Sequence, residues 1–257
     1  MILAFDVGNS ETTIGLLEED IVRAHWRVTT DAARTPDEIG VMLRSLFAAE
    51  GQDLRALSGA AIASVVPPMT GPLVDACERW LGVTAVVIDG RSALPIRLQV
   101  DEPLTVGADR IVNTLAASRL FGVDAVVVDL GTATTFDCIT GDGVFLGGVI
   151  APGVRTSAET LVRKTSKLPA TDLVAPPRVI GTRTEECIRA GVMFGQAEAI
   201  DGIVRRIRAE WPGGKRPLCI ATGGLATLFQ PLCTSFDRVE PFLTLHGIRL
   251  AHEHLTA

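Results

Sequence analysis

The chain has 257 residues, 47% hydrophobic and 21% charged, with a formal net charge of −6. That composition buries a sizeable core and argues against a disordered chain. The acidic balance argues against a nucleic-acid surface, because phosphate backbones are held by clustered Lys and Arg. The one basic run, Arg205-Arg206-Ile207-Arg208, falls in a helical pattern and reads as a solvated face. Five cysteines, an odd number with no C-x-x-C pair, argue against a disulfide framework or a structural zinc and for a reducing compartment. The start, Met1-Ile-Leu-Ala-Phe-Asp6, lacks a basic region and is not read as a signal peptide. No apolar run approaches the roughly 20 residues that cross a bilayer. A cytoplasmic protein without nucleic-acid or membrane partners is expected.

In chain order, Ile2 to Phe5 reads as a buried strand that stops at the turn cluster Asp6-Val-Gly-Asn-Ser10. Thr12 to Leu17 and Ile21 to Val28 follow as strands of an antiparallel meander. Thr35-Pro36-Asp37-Glu38 carries a capping box with Pro at the first helical position, and Ile39, Met42, Leu43, Leu46 and Phe47 give that helix its buried stripe. A strand from Ala60, a helix from about Gly71 to Trp80 and a strand from Thr84 to Ile88 complete a βββαβαβ order. His25 and Trp26 read as packing residues of the third strand.

The theme then recurs. A helix is expected from about Ala108 to Phe121, then a strand from Ala125 to Val128 that stops at Asp129-Leu-Gly-Thr-Ala-Thr-Thr135. Strands from Phe136 and Val144 follow, then helices from about Arg155 and from Thr184 to Trp211, and a strand from Leu218 to Ala221 ending at Thr222-Gly223-Gly224. Weak internal repetition of this kind implies two similar α/β lobes, 1–120 and 121–257, with a ligand cleft expected where they meet. Gly191, Gly195 and Ala199 recur every fourth residue and read as a helix-packing row, within the lobe or in a dimer. His252-Glu253-His254 lacks a third metal ligand and reads as a solvated tail.

Two loops share a plan. In Asp6-Val7-Gly8-Asn9-Ser10-Glu11-Thr12-Thr13 a strand delivers a carboxylate to its end, Gly8 lets the backbone approach a ligand, and short polar side chains follow. Backbone N–H groups in such a turn form an anion nest, and Asp6 suits a hydrated Mg²⁺ bridging phosphates. An ordinary hairpin would look the same. In Asp129–Thr135, Thr132 and Thr134 are candidate phosphate donors and Asp129 a candidate cation ligand. One such loop per lobe suits a nucleotide, although no Walker A pattern occurs. Ala221-Thr-Gly-Gly-Leu-Ala226 brings bare backbone close to a ligand or is a plain turn. Val106-Gly-Ala-Asp-Arg-Ile111 opens a helix. Asp109 there is a candidate base for a hydroxyl attacking a γ-phosphorus, and Arg110 a candidate fork for a substrate anion. Helix capping alone would also place an Asp at that position.

Together these segments resemble the type III pantothenate kinases, members of the acetate kinase, sugar kinase, heat-shock ATPase and actin superfamily. The similarity covers nearly the whole chain. It is carried by Asp6–Ser10, Arg34–Glu38, Ser64–Pro68, Leu94–Ile96, Val106–Asn113, Val128–Thr135, Leu146–Gly153 and Ala221–Gly224. The resemblance implies two actin-like, ribonuclease H-like lobes, each a mixed sheet flanked by helices, with the active site in the cleft. It implies transfer of the ATP γ-phosphoryl to pantothenate, giving 4′-phosphopantothenate, in the first step of coenzyme A biosynthesis. It further implies that Asp6 to Thr13 and Thr132 bind ATP, and that Gly107, Ala108, Asp109, Arg110 and Thr184 bind pantothenate with Asp109 as proton acceptor. By the same resemblance Asp129 holds K⁺ or NH₄⁺ beside Mg²⁺, and the enzyme is a homodimer. The sequence departs from the family at Ser10, Glu11 and Val100, and it has no tyrosine. The family tyrosine lost at Val100 helps enclose pantothenate. A regulatory scaffold of weak turnover, and a kinase for another hydroxy acid, are the alternative readings.

Overall fold

The computed structural model describes every residue from Met1 to Ala257. The chain folds as two compact units. The first holds Met1–Phe121, Gly143–Phe145 and Phe242–Ala257, and the second Gly122–Asp142 and Leu146–Pro241.

The first unit is built on a five-stranded mixed sheet. Strands β1 (Ile2–Val7), β2 (Glu11–Glu18) and β3 (Ile21–Thr29) form the expected meander, and β4 (Gly59–Ser64) and β5 (Ala85–Ile88) extend it in parallel. The sheet order is β3-β2-β1-β4-β5. Alternation along β1 sends Leu3, Phe5 and Val7 to one face and Ala4 to the other. The first face packs against α1 (Pro36–Ala49) and α2 (Pro67–Ala76) through Ile39, Leu43, Phe47, Met69 and Leu73. The second packs against α3 (Ala108–Phe121) and the chain's last helix through Ile111, Val112, Leu115, Leu245 and Ile248. A two-residue strand, β6 (Arg97–Leu98), pairs with Val144 and Phe145.

The capping box at α1 is formed as expected. Glu38 N donates to Thr35 Oγ1 at 3.3 Å, and Thr35 N donates to Glu38 Oε2 at 2.8 Å. Thr35→Ala is expected to lower the melting temperature by about 2–4 °C, measured by thermal unfolding. Helix α2 starts at Pro67, four residues before the expected start. The Pro67-Pro68 pair that reads as a strand stop supplies its first turn, where proline costs no hydrogen bond. It ends in a π-helical turn, Cys77–Leu81.

The second unit follows β7 (Ala125–Leu130), β8 (Ala133–Ile139) and β9 (Val144–Pro152), then α4 (Val154–Lys164) and α5 (Thr184–Glu210). Next come β10 (Leu218–Thr222), the short helix α6 (Ala226–Phe229) and β11 (Arg238–Val239). The sheet runs β11-β10-β7-β8-β9-β6. Val126, Val128 and Leu130 of β7 share a core with Met193, Ala197, Ile200 and Val204 of α5. An Asp201 carboxylate ties α5 to the turn before β11, accepting from the backbone N–H groups and hydroxyls of Thr234 and Ser235.

The last helix, α7 (Leu243–Thr256), lies on the first unit, whereas a division at residue 120 groups it with the second lobe. The reading of His252-Glu253-His254 as a solvated tail holds for the exposed Glu253 and His254 and is corrected for His252. His252 is buried against Gly59, and burial holds its imidazole below its usual pKa. Arg249, also buried, pairs with Asp20 and Glu253. Trp26 is buried as expected, while His25 is exposed and stacks edge-on to Phe242 at 4.8 Å. A Cβ added at Gly191 or Gly195 would meet no atom within 4 Å. Those glycines therefore serve no close packing inside the unit. No helix is long and apolar enough to cross a membrane.

Candidate functional site

In the first unit, the Asp6 loop is a tight connection between paired strands. Asp6 stands opposite Thr13, and Gly8 N donates to Glu11 O at 3.1 Å. By strand alternation Asp6 lies on the Ala4 face, the face that α3 covers. Asn9, Ser10 and Glu11 are exposed at the tip. Thr12 is buried, and its hydroxyl lies 2.8 Å from that of Thr30. Thr30 Oγ1 also donates to Gly8 O at 2.7 Å, and Thr30 N donates to Ser10 O at 3.0 Å. Thr12 thus braces the loop through Thr30. No sequence signal pointed to Thr30, which sits at the end of β3, far along the chain from the loop it holds.

The second element of this unit is the start of α3. Ile111 N donates to Gly107 O at 3.1 Å, and Arg110 N donates to Asp109 Oδ1 at 2.8 Å. A side chain on Gly107 would overlap Asp109 Oδ1 and would stand 3.4 Å from Val65 Cγ1. Val65 N in turn donates to Val7 O at 3.0 Å, so one residue links the end of β1 to the start of α3. Asp109 is half-buried at this helix start. Burial pushes its carboxyl above the usual carboxylate range, against smaller lowering effects of the Arg110 N–H and charge. The Arg110 guanidinium carbon stands 5.0 Å from the centroid of the Phe145 ring.

In the second unit, Asp129 ends β7 opposite Thr135, and Gly131 N donates to Ala133 O at 3.0 Å. Gly131 and Thr132 are exposed. Their carbonyls press on Gly153, whose backbone N donates to Thr132 O at 3.2 Å. Thr156 Oγ1 of α4 donates to the same carbonyl at 2.7 Å. The first turn of α4 is therefore fastened to the loop, and its cap residue, Gly153, offers no side chain to the helix N–H groups. Such a terminus favours anions. Gly153 closes a segment of the family resemblance but was given no role, and Thr156 escaped the sequence reading, because a plain Pro-Gly turn looks identical. Thr134, a candidate phosphate donor by sequence, is instead fully buried and lies 3.4 Å from the Gln196 amide of α5.

The Thr222-Gly223-Gly224 turn meets this loop. Thr222 is in register with Asp129, and Gly223 adopts φ +86°. A side chain there would strike Asp129 Oδ1 and the Leu130 backbone. The Thr222 hydroxyl is buried without a hydrogen-bond partner. Thr184 is exposed at the first turn of α5, which no side chain caps.

Two mixed, helix-flanked sheets, each with a central strand ending in Asp-x-Gly, define an actin-like fold. A ROK hexokinase from Thermus thermophilus matches the fold with a TM-score of 0.50 at 11% identity, covering 99% of each chain. The chain belongs to the type III pantothenate kinase family, whose model matches residues 2–206. It is 44% identical to the type III pantothenate kinase of Moorella thermoacetica over 100% of both chains, and 44% identical to that of a Roseiflexus species over 98% of both.

Proposed function

We propose that this chain is a pantothenate kinase, transferring the γ-phosphoryl of ATP to the pantothenate hydroxyl in the first step of coenzyme A biosynthesis. The observation that carries the reading is the enclosed carboxylate of Asp109 beside Arg110, in a chain whose full-length relatives bear that name. The hydroxyl oxygen attacks the γ-phosphorus, and the bond from that phosphorus to the bridging oxygen breaks. ADP leaves with the bond's electron pair, and Asp109 takes the hydroxyl proton. Raising the basicity of Asp109 by burial suits it to that proton. Arg110 holds the acceptor's carboxylate, with Gly107, Ala108 and Thr184 as further pantothenate contacts.

The Asp6–Thr13 loop and Thr132 bind ATP in this account. Asn9, Ser10 and Glu11 lie at the exposed tip, where phosphate oxygens can approach the turn. Thr12 contributes by bracing the loop, its hydroxyl engaging Thr30 rather than ATP. Asp6 would hold Mg²⁺ through water, and Mg²⁺ would neutralise phosphate charge. Asp129 would hold K⁺ or NH₄⁺. A hard monovalent cation fits here because an Asp carboxylate and the unpartnered Thr222 hydroxyl lie on paired strands, with bare Gly223 backbone between them and solvent. The protein works in the cytoplasm as a homodimer, which the exposed row Gly191, Gly195 and Ala199 supports.

Mass spectrometry of a reaction with pantothenate, ATP and Mg²⁺ tests the activity. Phosphopantothenate is expected, and its absence, with ATP hydrolysed regardless, would favour a scaffold role. Activity is also expected to be several-fold higher in K⁺ or NH₄⁺ than in Na⁺. Equal rates in all three salts would remove the cation from Asp129.

A further inference from the structure

We infer that the Thr222 hydroxyl is a ligand of the monovalent cation assigned to Asp129, and that it sets the preference of that site for K⁺ or NH₄⁺ over Na⁺. The inference rests on the cation reading proposed above and gives a role to a residue outside the Asp-x-Gly loop. Thr222 ends β10, is 1% exposed, and buries its Oγ1 without a hydrogen-bond partner. Burying a hydroxyl with nothing to meet it is costly, so such a group points to something the site is built to hold.

The sheet aims that hydroxyl. Strand β10 runs parallel to β7, with Cys219 opposite Val126, Ala221 opposite Val128 and Thr222 opposite Asp129. Cys219, Ala221, Val126 and Val128 all face the α5 core, so alternation turns Thr222 and Asp129 together to the other face. Bare backbone borders the carboxylate. A Cβ on Gly223 would overlap Asp129 Oδ1, and one on Gly131 would stand 3.8 Å from the same oxygen. A hydroxyl oxygen and a carboxylate oxygen thus share one level on neighbouring strands. Both are hard ligands suited to an alkali cation. Both also accept N–H donors, so ammonium can replace the metal ion. The pair discriminates by size. Neighbouring strands lie about 4.8 Å apart, and the ladder from Leu218 to Thr222 fixes that spacing. K⁺ and NH₄⁺ are large enough to span it and meet both oxygens. An ion as small as Na⁺ that sits close to Asp129 leaves Thr222 unmet.

The test follows thermal unfolding of the full-length protein, with Mg²⁺ and a non-hydrolysable ATP analogue, as K⁺, NH₄⁺ or Na⁺ is titrated. Thr222→Val keeps the branched shape and removes the oxygen, and Thr222→Ser keeps the oxygen. In Thr222→Val the K⁺ and NH₄⁺ concentrations that give half the stabilisation are expected to rise about ten- to one-hundred-fold, as for losing one contact to a charged group. The Na⁺ curve is expected to stay in place, and Thr222→Ser to follow the unmodified protein in all three salts. Without K⁺ or NH₄⁺, Thr222→Val is expected to melt no lower than the unmodified protein, since it relieves an unpaired buried hydroxyl. Unchanged K⁺ dependence in Thr222→Val, or an equal shift in Thr222→Ser, would overturn the inference. So would a Thr222→Val loss of stability that is the same in every salt, which would mean that the hydroxyl is met by water. Thr222→Ala takes the same readings if the Val variant fails to fold. An unmodified protein whose melting ignores K⁺ and NH₄⁺ would overturn the cation reading and this inference with it. A K⁺ response lost in Thr222→Val would sustain the inference even in a protein that fails to phosphorylate pantothenate.

Discussion

Asp109→Asn is expected to lower kcat about a hundred- to ten-thousand-fold, the range for losing a positioned general base. The amide is nearly isosteric and keeps an oxygen for the Arg110 N–H that Asp109 Oδ1 now accepts at 2.8 Å. The melting temperature should therefore hold or rise, because an ionised carboxylate no longer has to be buried. The direction of the pKa shift adds a second reading. Asp109 accepts a proton only when ionised, and burial pushes its carboxyl upward. As pH falls, kcat should therefore decline at a higher pH than for an exposed carboxylate. Stability runs the other way. A folded pKa above the unfolded one means the native state takes up a proton first, so acidification through that pKa relieves part of the burial cost. A variant with full kcat, or an acid limb retained in Asp109→Asn, would remove Asp109 from the proton transfer.

Gly223→Ala is the second large effect. It is expected to cost about 2–5 kcal/mol of stability and to abolish the cation response with most of the activity. Two penalties combine. The residue sits at φ +86°, where a Cβ is strained, and that Cβ would overlap Asp129 Oδ1 and press 2.7 Å from Leu130 N. Neither neighbour yields cheaply, since one is backbone and the other a functional carboxylate. Gly213→Ala separates the two penalties. Gly213 has φ +71° but nothing within 4 Å of a new Cβ, so it carries the backbone cost alone. Chemical denaturation and activity in K⁺ and Na⁺, measured on both variants, would decide. Similar losses at Gly213 and Gly223 would mean that contact with Asp129 contributes nothing.

Much of this architecture is legible in the sequence wherever a buried strand stops abruptly. Ile2–Val7 and Ala125–Leu130 are apolar runs that break on Asp-x-Gly, and both emerge as central strands carrying a loop. The capping box at Thr35 was equally plain, because the hydrogen bonds that make it run between Thr35 and Glu38, three residues apart. Elements held by remote partners were not visible. Strands β6 and β11 have two residues each, too few for any period to show. Helix α7 was hidden by its polar residues. His246, Arg249 and His252 interrupt the apolar pattern, yet Arg249 and His252 are buried because Asp20, Glu253 and Gly59 receive them.

The candidate site divides along the same line. Asp6, Asp109 and Asp129 announce themselves by chemistry at strand or helix ends. Their supports do not. Thr30 reaches back to Gly8, Thr156 reaches back to Thr132, and the Phe145 ring of β9 lies against Arg110 of α3. Thr12 and Thr134 show the converse. Both are hydroxyls within phosphate-loop motifs, but strand alternation turns them inward, where they brace the loops. A motif states which residue types are present, and only the pleat states which of them face out.

The central claim is tested most directly by ADP release from Mg²⁺-ATP in K⁺ buffer, with and without pantothenate. The account predicts release that requires pantothenate and nearly vanishes in Asp109→Asn. Release that is indifferent to pantothenate, or unaffected by Asp109→Asn, would contradict it.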